Sequence, residues 1–195
     1  MQSAVIAGQQ RPAHTSAAAC PSSSGSGTSG MGIDASAFRA GMARLGGACT
    51  IITGQHEGER AGLTATAVCS VSAEPPRLLV CVNRSVRAHQ LIADSARLGV
   101  NVLGPAHEEL AKRFAGMVQG VVGGDRFLDG AWMQSPRGVP VLADALVSFE
   151  CEVIEETVSG THSIFLCEVT DVATAGNAHS ALVYFNRHFV PISAA

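Results

Sequence analysis

Hydrophobic and polar residues alternate with the two-residue period of β-strands in two stretches near the C-terminal end of this chain. Residues 146–158 and 161–172 show the alternation over most of their length, which predicts two long strands, each with one exposed face. On this pattern the exposed face includes Glu150, Glu152, Glu155 and Glu156. Shorter apolar or β-branched runs predict further strands at residues 48–53, 61–72, 77–83, 98–103 and 182–185.

Three segments have helical spacing instead. Asp34 is a suitable N-cap for a first helix, which Gly46-Gly47 would end. Its apolar residues recur at intervals of three and four: Phe38, Met42 and Leu45. Residues 86–95 and 107–114 predict two more short helices.

The strands outnumber the helices and do not alternate with them, so a doubly wound parallel sheet is not expected. The polar residues 54–60 are interpreted as a turn, and the continuous apolar run at 77–83 as a strand buried on both faces. We predict a mainly β fold, a six- to seven-stranded antiparallel Greek-key barrel with a few short helices.

The first 30 residues differ in composition from the rest of the chain. They include a Ser/Gly run at residues 22–30, which cannot bury enough apolar surface to fold. We expect a disordered tail at residues 1–30 and a single domain at residues 31–195. The tail has neither the basic n-region nor the apolar h-region of an export signal, so the expected location is the cytoplasm.

Charge and hydropathy narrow the range of partners. The chain has 195 residues, and 13 basic against 16 acidic side chains give a net charge of −3. Without a Lys/Arg cluster, neither a nucleic acid nor an anionic membrane is expected as partner. The longest apolar run, residues 78–82, is far shorter than the ~20 residues of a membrane helix.

No familiar catalytic or metal-binding motif is present in the sequence. The six cysteines form no C-x-x-C pair, and five of them lie in apolar stretches typical of small buried side chains. The phosphate-loop, zinc-protease and nucleophile-elbow motifs are missing, and no metal is expected. A bound cofactor is therefore expected to carry the chemistry.

Small residues dominate the strand segment 62–67, Gly-Leu-Thr-Ala-Thr-Ala. Such residues can serve tight packing within a barrel. They can also let backbone N–H groups and threonine hydroxyls reach a flat ligand, and these donors suit the acceptor atoms of an oxidised flavin. The residues alone leave both interpretations open.

Residues 62–72, followed by Pro75-Pro76, resemble the signature strand of the short-chain flavin reductases. Other blocks resemble the same family in the same order, over roughly residues 37–190. These blocks are Phe38-Arg39, residues 46–53, residues 82–85 with His89, residues 100–103, residues 110–116, residues 160–162 and Tyr184-Phe185.

The resemblance implies an FMN-binding split barrel and an NAD(P)H:flavin oxidoreductase. Hydride from NADH or NADPH would reduce FAD or FMN, and the reduced flavin would pass to a separate flavin-dependent oxygenase. The family also implies a homodimer.

The resemblance further implies which residues form the site. His162 would face the nicotinamide and is the candidate catalytic residue, although a lone histidine before an apolar strand is also a common structural hydrogen-bonder. The expected cofactor-binding residues are Thr50, Thr64, Ala65, Thr66, Ala67, Ser70, Asn83, Arg84, Ser85, Arg87, Asn101, Arg113, Phe114, Tyr184 and Arg187.

The phosphate turn departs from the family pattern at two positions. The family often has serine where this chain has Val86, and serine or threonine where it has Ala88. Phosphate binding is therefore expected to depend on Ser85 with the guanidinium of Arg84 or Arg87.

Two other functions fit the same sequence. One is a non-catalytic split-barrel protein that binds flavin or haem, and the other is a flavin-dependent reductase of a different acceptor. No bulky insertion blocks the expected nicotinamide face, which favours the flavin reductase.

Overall fold

A computed structural model describes residues 32–175 and 179–194 of the chain. The predicted tail, with Cys20, lies outside these residues. The three α-helices described are α1 (Ala35–Met42), α2 (Arg87–Ser95) and α3 (Glu108–Phe114), and short 3-10 helices span Pro105–His107 and Gly123–Leu128. The described strands are β1 (Gly47–Ala48), β2 (Thr50–His56), β3 (Glu59–Ala65), β4 (Val68–Ala73), β5 (Pro76–Asn83), β6 (Arg97–Val102), β7 (Trp132–Gln134), β8 (Pro140–Leu142), β9 (Val147–Ser159), β10 (His162–Thr174), β11 (Ser180–Phe185) and β12 (His188–Ser193).

The main sheet has seven strands in the order β3-β2-β6-β9-β10-β5-β4, and each neighbouring pair is antiparallel. Its two edge strands, β3 and β4, are consecutive in the chain and are separated only by Thr66 and Ala67. We call these two residues the corner. The sheet curls so that its edges meet there, and this confirms the predicted antiparallel barrel.

Two smaller sheets accompany the barrel. β1, β11 and β12 form one, in which Gly47 of β1 lies opposite Tyr184 of β11. β7 pairs with β8, so the segment around Trp132, for which no strand was predicted, contains a short one. Asp34 caps α1 as predicted, because its carboxylate accepts a hydrogen bond from the N–H of Ala37 at 3.2 Å.

Several predicted elements differ from the observed ones. The single strand predicted at 61–72 is two strands, broken at the corner. The turn predicted at 54–60 shrinks to Glu57 and Gly58, both with positive φ, because β2 continues to His56. β5 is fully buried on one face only, since Leu78, Val80 and Val82 are buried while the intervening residues are half-exposed.

The predicted acidic face of β9 is also partly wrong. Glu150 is buried and accepts a hydrogen bond from the hydroxyl of Ser135 at 2.7 Å. A buried carboxylate needs such a donor to offset the loss of water.

β2 forms a wall between two apolar cores. Successive side chains of a strand point to opposite faces, so Ile51 and Ile52 pack into different cores. Ile52 belongs to the core inside the barrel, with Val80, Val100, Phe165 and residues of the neighbouring strands. Ile51 belongs to the core on the other face, where its partners include Leu103, Ala111, Phe114, Phe127, Leu142 and Leu182.

Three of the five described cysteines are buried as predicted. Burial raises the pKa of the Cys49 thiol to about 11 and that of the Cys167 thiol to about 12, and it also raises the pKa of Cys151. These thiols stay protonated at neutral pH and act as small apolar side chains. Cys69 is exposed and Cys81 is half-buried, so the prediction fails for these two.

No helix in the described part of the chain is long and apolar enough to cross a membrane.

Gly62 on β3 is small because a core side chain lies against its backbone. A Cβ at this position would be 2.7 Å from Cε1 of Phe114 and 2.9 Å from the carbonyl oxygen of Ile52. At Gly62, therefore, the tight-packing interpretation of the small residues applies, and the packed group belongs to the protein itself.

We predict that Gly62→Ala destabilises the fold by ~1–3 kcal/mol, because the backbone and the Phe114 ring must move to admit the methyl group. Urea unfolding at a fixed protein concentration measures the change. Gly41→Ala is the control, since a Cβ on Gly41 of α1 would meet nothing within 4 Å. Equal stability of the two variants would contradict this account.

Candidate functional site

A cavity of about 940 Å³ opens between α1, β1 and the corner. We call it the main cavity. Its described lining contains two arginines, Arg39 and Arg187, and no Asp or Glu. The full lining is Arg39, Met42, Ala43, Leu45, Gly46, Gly47, Ala48, Thr50, Thr66, Val68, Val102, Tyr184 and Arg187. This charge distribution favours an anionic ligand.

A smaller cavity of about 200 Å³ adjoins the main cavity, and Thr66 and Tyr184 line both. Thr64 and Ala65 of β3 line only the smaller one. The Tyr184 ring packs against Phe189, with the ring centroids 5.1 Å apart. The end of β3 and Thr66 thus border two neighbouring cavities that share the Tyr184 side chain.

The corner leaves two backbone donors unpaired. The carbonyl of Ala67 accepts a hydrogen bond from the N–H of Cys81 at 3.0 Å, which attaches the corner to β5. Within the described residues, the N–H groups of Thr66 and Ala67 have no protein acceptor. Both residues are exposed, and Thr66 lines both cavities.

Gly47 allows β1 to approach the corner closely. A Cβ on Gly47 would lie 2.9 Å from the Cβ of Thr66 and 3.5 Å from its carbonyl oxygen. Any other residue at position 47 would push the corner away from β1.

Most threonine hydroxyls near the corner are engaged within the protein. Thr50 donates to the carbonyl of Ala65 at 2.8 Å, and Thr64 donates to the carbonyl of Ala111 in α3 at 2.7 Å. These two predicted ligands therefore hold β3 in place. Donors for a ligand come from the corner backbone and Thr66.

A tight turn follows β5 at residues 83–86, and we call it the anion turn. The side-chain carbonyl of Asn83 accepts hydrogen bonds from the N–H and the hydroxyl of Ser85, at 2.9 and 2.8 Å. α2 begins directly afterwards, and its N-cap residue Val86 makes no side-chain capping bond. The N–H of His89 donates to the carbonyl of Val86 at 3.1 Å, and the N–H groups of Arg87 and Ala88 have no acceptor among the described residues. Unpaired N–H groups at a helix N-terminus favour anions.

The anion turn lies at the same end of β5 as the corner. Cys81, which bonds to Ala67, is two residues before Asn83, or ~7 Å along the strand. His162 pairs with Asn83 across the β5–β10 ladder, and its ring nitrogen Nδ1 lies 2.9 Å from the Thr161 hydroxyl. The structure therefore brings the corner, the anion turn and His162 together.

Arg87 reaches the same region but is already paired. Its guanidinium donates to both carboxylate oxygens of Glu59, at 2.8 and 2.5 Å. The pair lowers the pKa of Glu59 and raises that of Arg87. Arg84, for which the structure shows no such ion pair among its described neighbours, is the better candidate for an anion partner.

The predicted residues Ala67, Asn83, Arg84, Ser85, Arg87 and His162 line neither cavity, but they lie at the corner or beside the anion turn. Four other predicted residues line neither cavity and lie elsewhere. Asn101 is fully buried, Phe114 packs in the core against Phe127 and Trp132, and Arg113 pairs with Asp129. Ser70 lines a separate apolar groove farther along β4.

Sequence reasoning did not assign Arg39 or Gly47 to the site. The sequence placed Arg39 in the first helix, and it placed Gly47 at the end of that helix and in the block of residues 46–53. The β1–β11 pairing, which sets Gly47 opposite Tyr184, joins residues more than 130 positions apart, and no local pattern indicates it.

The fold and the site define a split β-barrel with an arginine-lined cavity beside its corner. The model of the protein family described as "Flavin reductase like domain" matches residues 42–193 of this chain. The chain belongs to this flavin reductase family.

Individual relatives agree with the family match. The chain is 44% identical over 161 residues to FMN reductase (NADH) RutF of Methylorubrum populi, covering 83% of this chain and 78% of that protein. The NADH:FAD oxidoreductase SgcE6 of Streptomyces globisporus, solved with NAD and FAD fragments, superposes with a TM-score of 0.74 at 27% identity, covering 82% and 93% of the two chains. BorF, the flavin reductase component of a bacterial two-component tryptophan halogenase, gives a TM-score of 0.75 at 26% identity, covering 83% and 100%.

Substitution of Asn101 distinguishes a structural role of this residue from a role in ligand binding. Its amide donates to the carbonyl of Ile51 at 3.0 Å and accepts from the N–H of Leu142 and the hydroxyl of Ser148, at 2.8 and 2.9 Å. We predict that Asn101→Ala loses ~2–4 kcal/mol of stability, because these buried groups become unpaired. Chemical denaturation measures the loss. Unchanged stability with selectively weaker flavin binding would contradict the structural role.

Proposed function

We propose that this chain is an NADH-dependent flavin reductase that binds FMN between the corner and the anion turn. The observation that carries the proposal is the pair of unpaired N–H groups at the corner, placed at the same end of β5 as the free N-terminus of α2. The ring edge of FMN is a row of acceptors, and its phosphate is a dianion at the other end of a short chain. The two donor sets match these two features.

The residues of this chain would hold the flavin as follows. The N–H groups of Thr66 and Ala67 would donate to the ring edge, and Ser85, Arg84 and the first N–H groups of α2 would bind the phosphate. Ala65 and the corner stay small, so the ring can approach the backbone. When bound, a flavin supplies a two-electron acceptor for the nicotinamide hydride.

The second substrate would occupy the main cavity. Arg39 and Arg187 provide positive charge for the phosphates of a pyridine nucleotide, and Tyr184 provides an aromatic wall. Little acid–base work is required of the protein, whose contribution is to align the two rings and to exclude water. His162, held by Thr161, is proposed to face the nicotinamide.

Relatives support the choice of substrates and partner. The chain is similar to proteins named FMN reductase (NADH), so FMN and NADH are proposed ahead of FAD and NADPH. We also propose that reduced flavin leaves for a separate oxygenase in the cytoplasm. The exposed corner supports this, because a ligand held there is only partly enclosed and can leave.

We predict that the purified chain consumes NADH in air only when FMN or FAD is added, with peroxide as the product of uncoupled turnover. Loss of nicotinamide absorbance measures the reaction, and parallel titrations with FAD and NADPH rank the substrates. Tight flavin binding without NADH consumption would favour the non-catalytic binding protein instead.

The same assay tests the main cavity. Arg39→Gln should raise the KM for NADH roughly 5- to 30-fold, the equivalent of ~1–2 kcal/mol for a lost charge-assisted contact. Arg44→Gln is the matched control, because Arg44 is exposed just beyond α1 and does not line the cavity. Similar effects of both substitutions would indicate general charge steering rather than a contact.

We further propose a homodimer that covers α1. The eight-residue helix buries none of its side chains, and Phe38 and Leu45 are 60% and 67% exposed. Such a short helix depends on packing of its apolar face. A second copy is the proposed cover, since α1 also borders the main cavity and closed homodimers are the commonest soluble assemblies.

We expect sedimentation to show a dimer at micromolar concentration and Phe38→Glu to shift it toward monomer, because a charge is costly to bury in an apolar contact. Ala40→Glu, on the other side of α1, should leave the dimer intact. A monomeric wild-type chain would contradict the proposal.

A further inference from the structure

His89 is buried although it lies in the first turn of α2, directly after the anion turn. Only 8% of the residue is exposed. Its Nε2 is 2.8 Å from the Ser163 hydroxyl and 3.2 Å from Oε1 of Glu156, and its ring packs 5.4 Å from Phe165. The flavin and nicotinamide contacts proposed above do not use this cluster.

The hydrogen bonds of the cluster have one consistent direction. The Ser163 hydroxyl donates to Glu156 at 2.5 Å, which leaves its oxygen as the acceptor for His89. Nε2 of His89 therefore carries a proton and donates toward both partners. With its acceptors supplied by two neighbouring strands, the ring orientation is fixed.

The cluster joins the first turn of α2 to β10. The anion turn itself meets the start of β10 through the pairing of Asn83 with His162 and the hydrogen bond from the N–H of Arg84 to the carbonyl of Thr161, at 2.9 Å. Thr161 and Ser163 stand on either side of His162 in the sequence. Both neighbours of the candidate catalytic residue are thus attached to the segment that would bind the flavin phosphate.

We propose that His89, through Ser163 and Glu156, is a positioning residue that holds the anion turn and the start of β10 in the arrangement that recognises the flavin phosphate. The proposal rests on the proposed function. If the anion turn is loosened, the phosphate is bound more weakly, whereas the backbone donors at the corner are unchanged. The cluster therefore governs the preference for FMN over riboflavin, which has the same ring and no phosphate.

The experiment compares FMN with riboflavin in three variants. His89→Phe keeps an aromatic ring beside Phe165 and removes the hydrogen bonds, Ser163→Ala removes the acceptor, and His89→Gln retains a donor. Gln90→Ala is the control on the same helix, since Gln90 is exposed and bonds only to Asp94. Dissociation constants come from quenching of flavin fluorescence, and KM values come from NADH oxidation.

His89→Phe and Ser163→Ala should weaken FMN binding roughly 5- to 30-fold and change riboflavin binding less than twofold. His89→Gln should recover part of the loss, and Gln90→Ala should resemble the wild type. Ser163→Ala provides the answer if His89→Phe does not fold.

Equal effects on both flavins would overturn the proposal, because a merely structural role weakens the whole site. Unchanged FMN binding in both loss variants would overturn it too, as would a wild-type chain that does not prefer FMN. If the wild-type chain binds FMN but oxidises no NADH, the reductase function fails while the binding titrations still decide the role of His89.

Discussion

The hydrogen bond between the N–H of Cys81 and the carbonyl of Ala67 is the constraint on which the site depends. This bond attaches the corner to β5 through the carbonyl oxygen of Ala67, and the N–H groups of Thr66 and Ala67 stay unpaired within the described residues. N–H groups that face a neighbouring strand are used in the ladder, so a break of two residues exposes donors that would otherwise be paired, without disrupting the sheet. The barrel supplies this break where its two edge strands meet.

The surrounding residues keep the corner open and close to its neighbours. Gly47 lets β1 approach Thr66, and the hydroxyls of Thr50 and Thr64 bind backbone carbonyls that fix the end of β3. The anion turn is fixed in turn by Asn83 on one side and by the links to β10 on the other. Together, these contacts set the separation between the backbone donors at the corner and the donors at the anion turn.

The fold could be predicted because its main features are periodic. Alternation marked β9 and β10, and Asp34 marked the start of α1. The corner could not be predicted, since Thr and Ala are ordinary strand residues and the break follows from closing the barrel. The extent of β2 was also missed, because Gln55 and His56 are polar residues near the strand end and resemble a turn.

The site could be predicted in part. The residues of the corner and of the anion turn could be recognised because each set is contiguous in the sequence. Asn101 and Phe114, which were predicted to bind the cofactor, lie buried in the protein. A polar residue in an apolar strand, or an aromatic residue on a helix, can contact either a ligand or the core. The core residues that Asn101 and Phe114 contact, such as Ser148 and Gly62, are distant in sequence, so the sequence does not reveal these contacts.

Hydrogen–deuterium exchange with and without FMN tests most directly whether the corner and the anion turn form one binding site. The account predicts slower exchange on FMN addition at the amides of Thr66 and Ala67 and at the start of α2, with riboflavin slowing only the corner. Protection confined to other segments, such as the apolar groove beside Ser70, would contradict it.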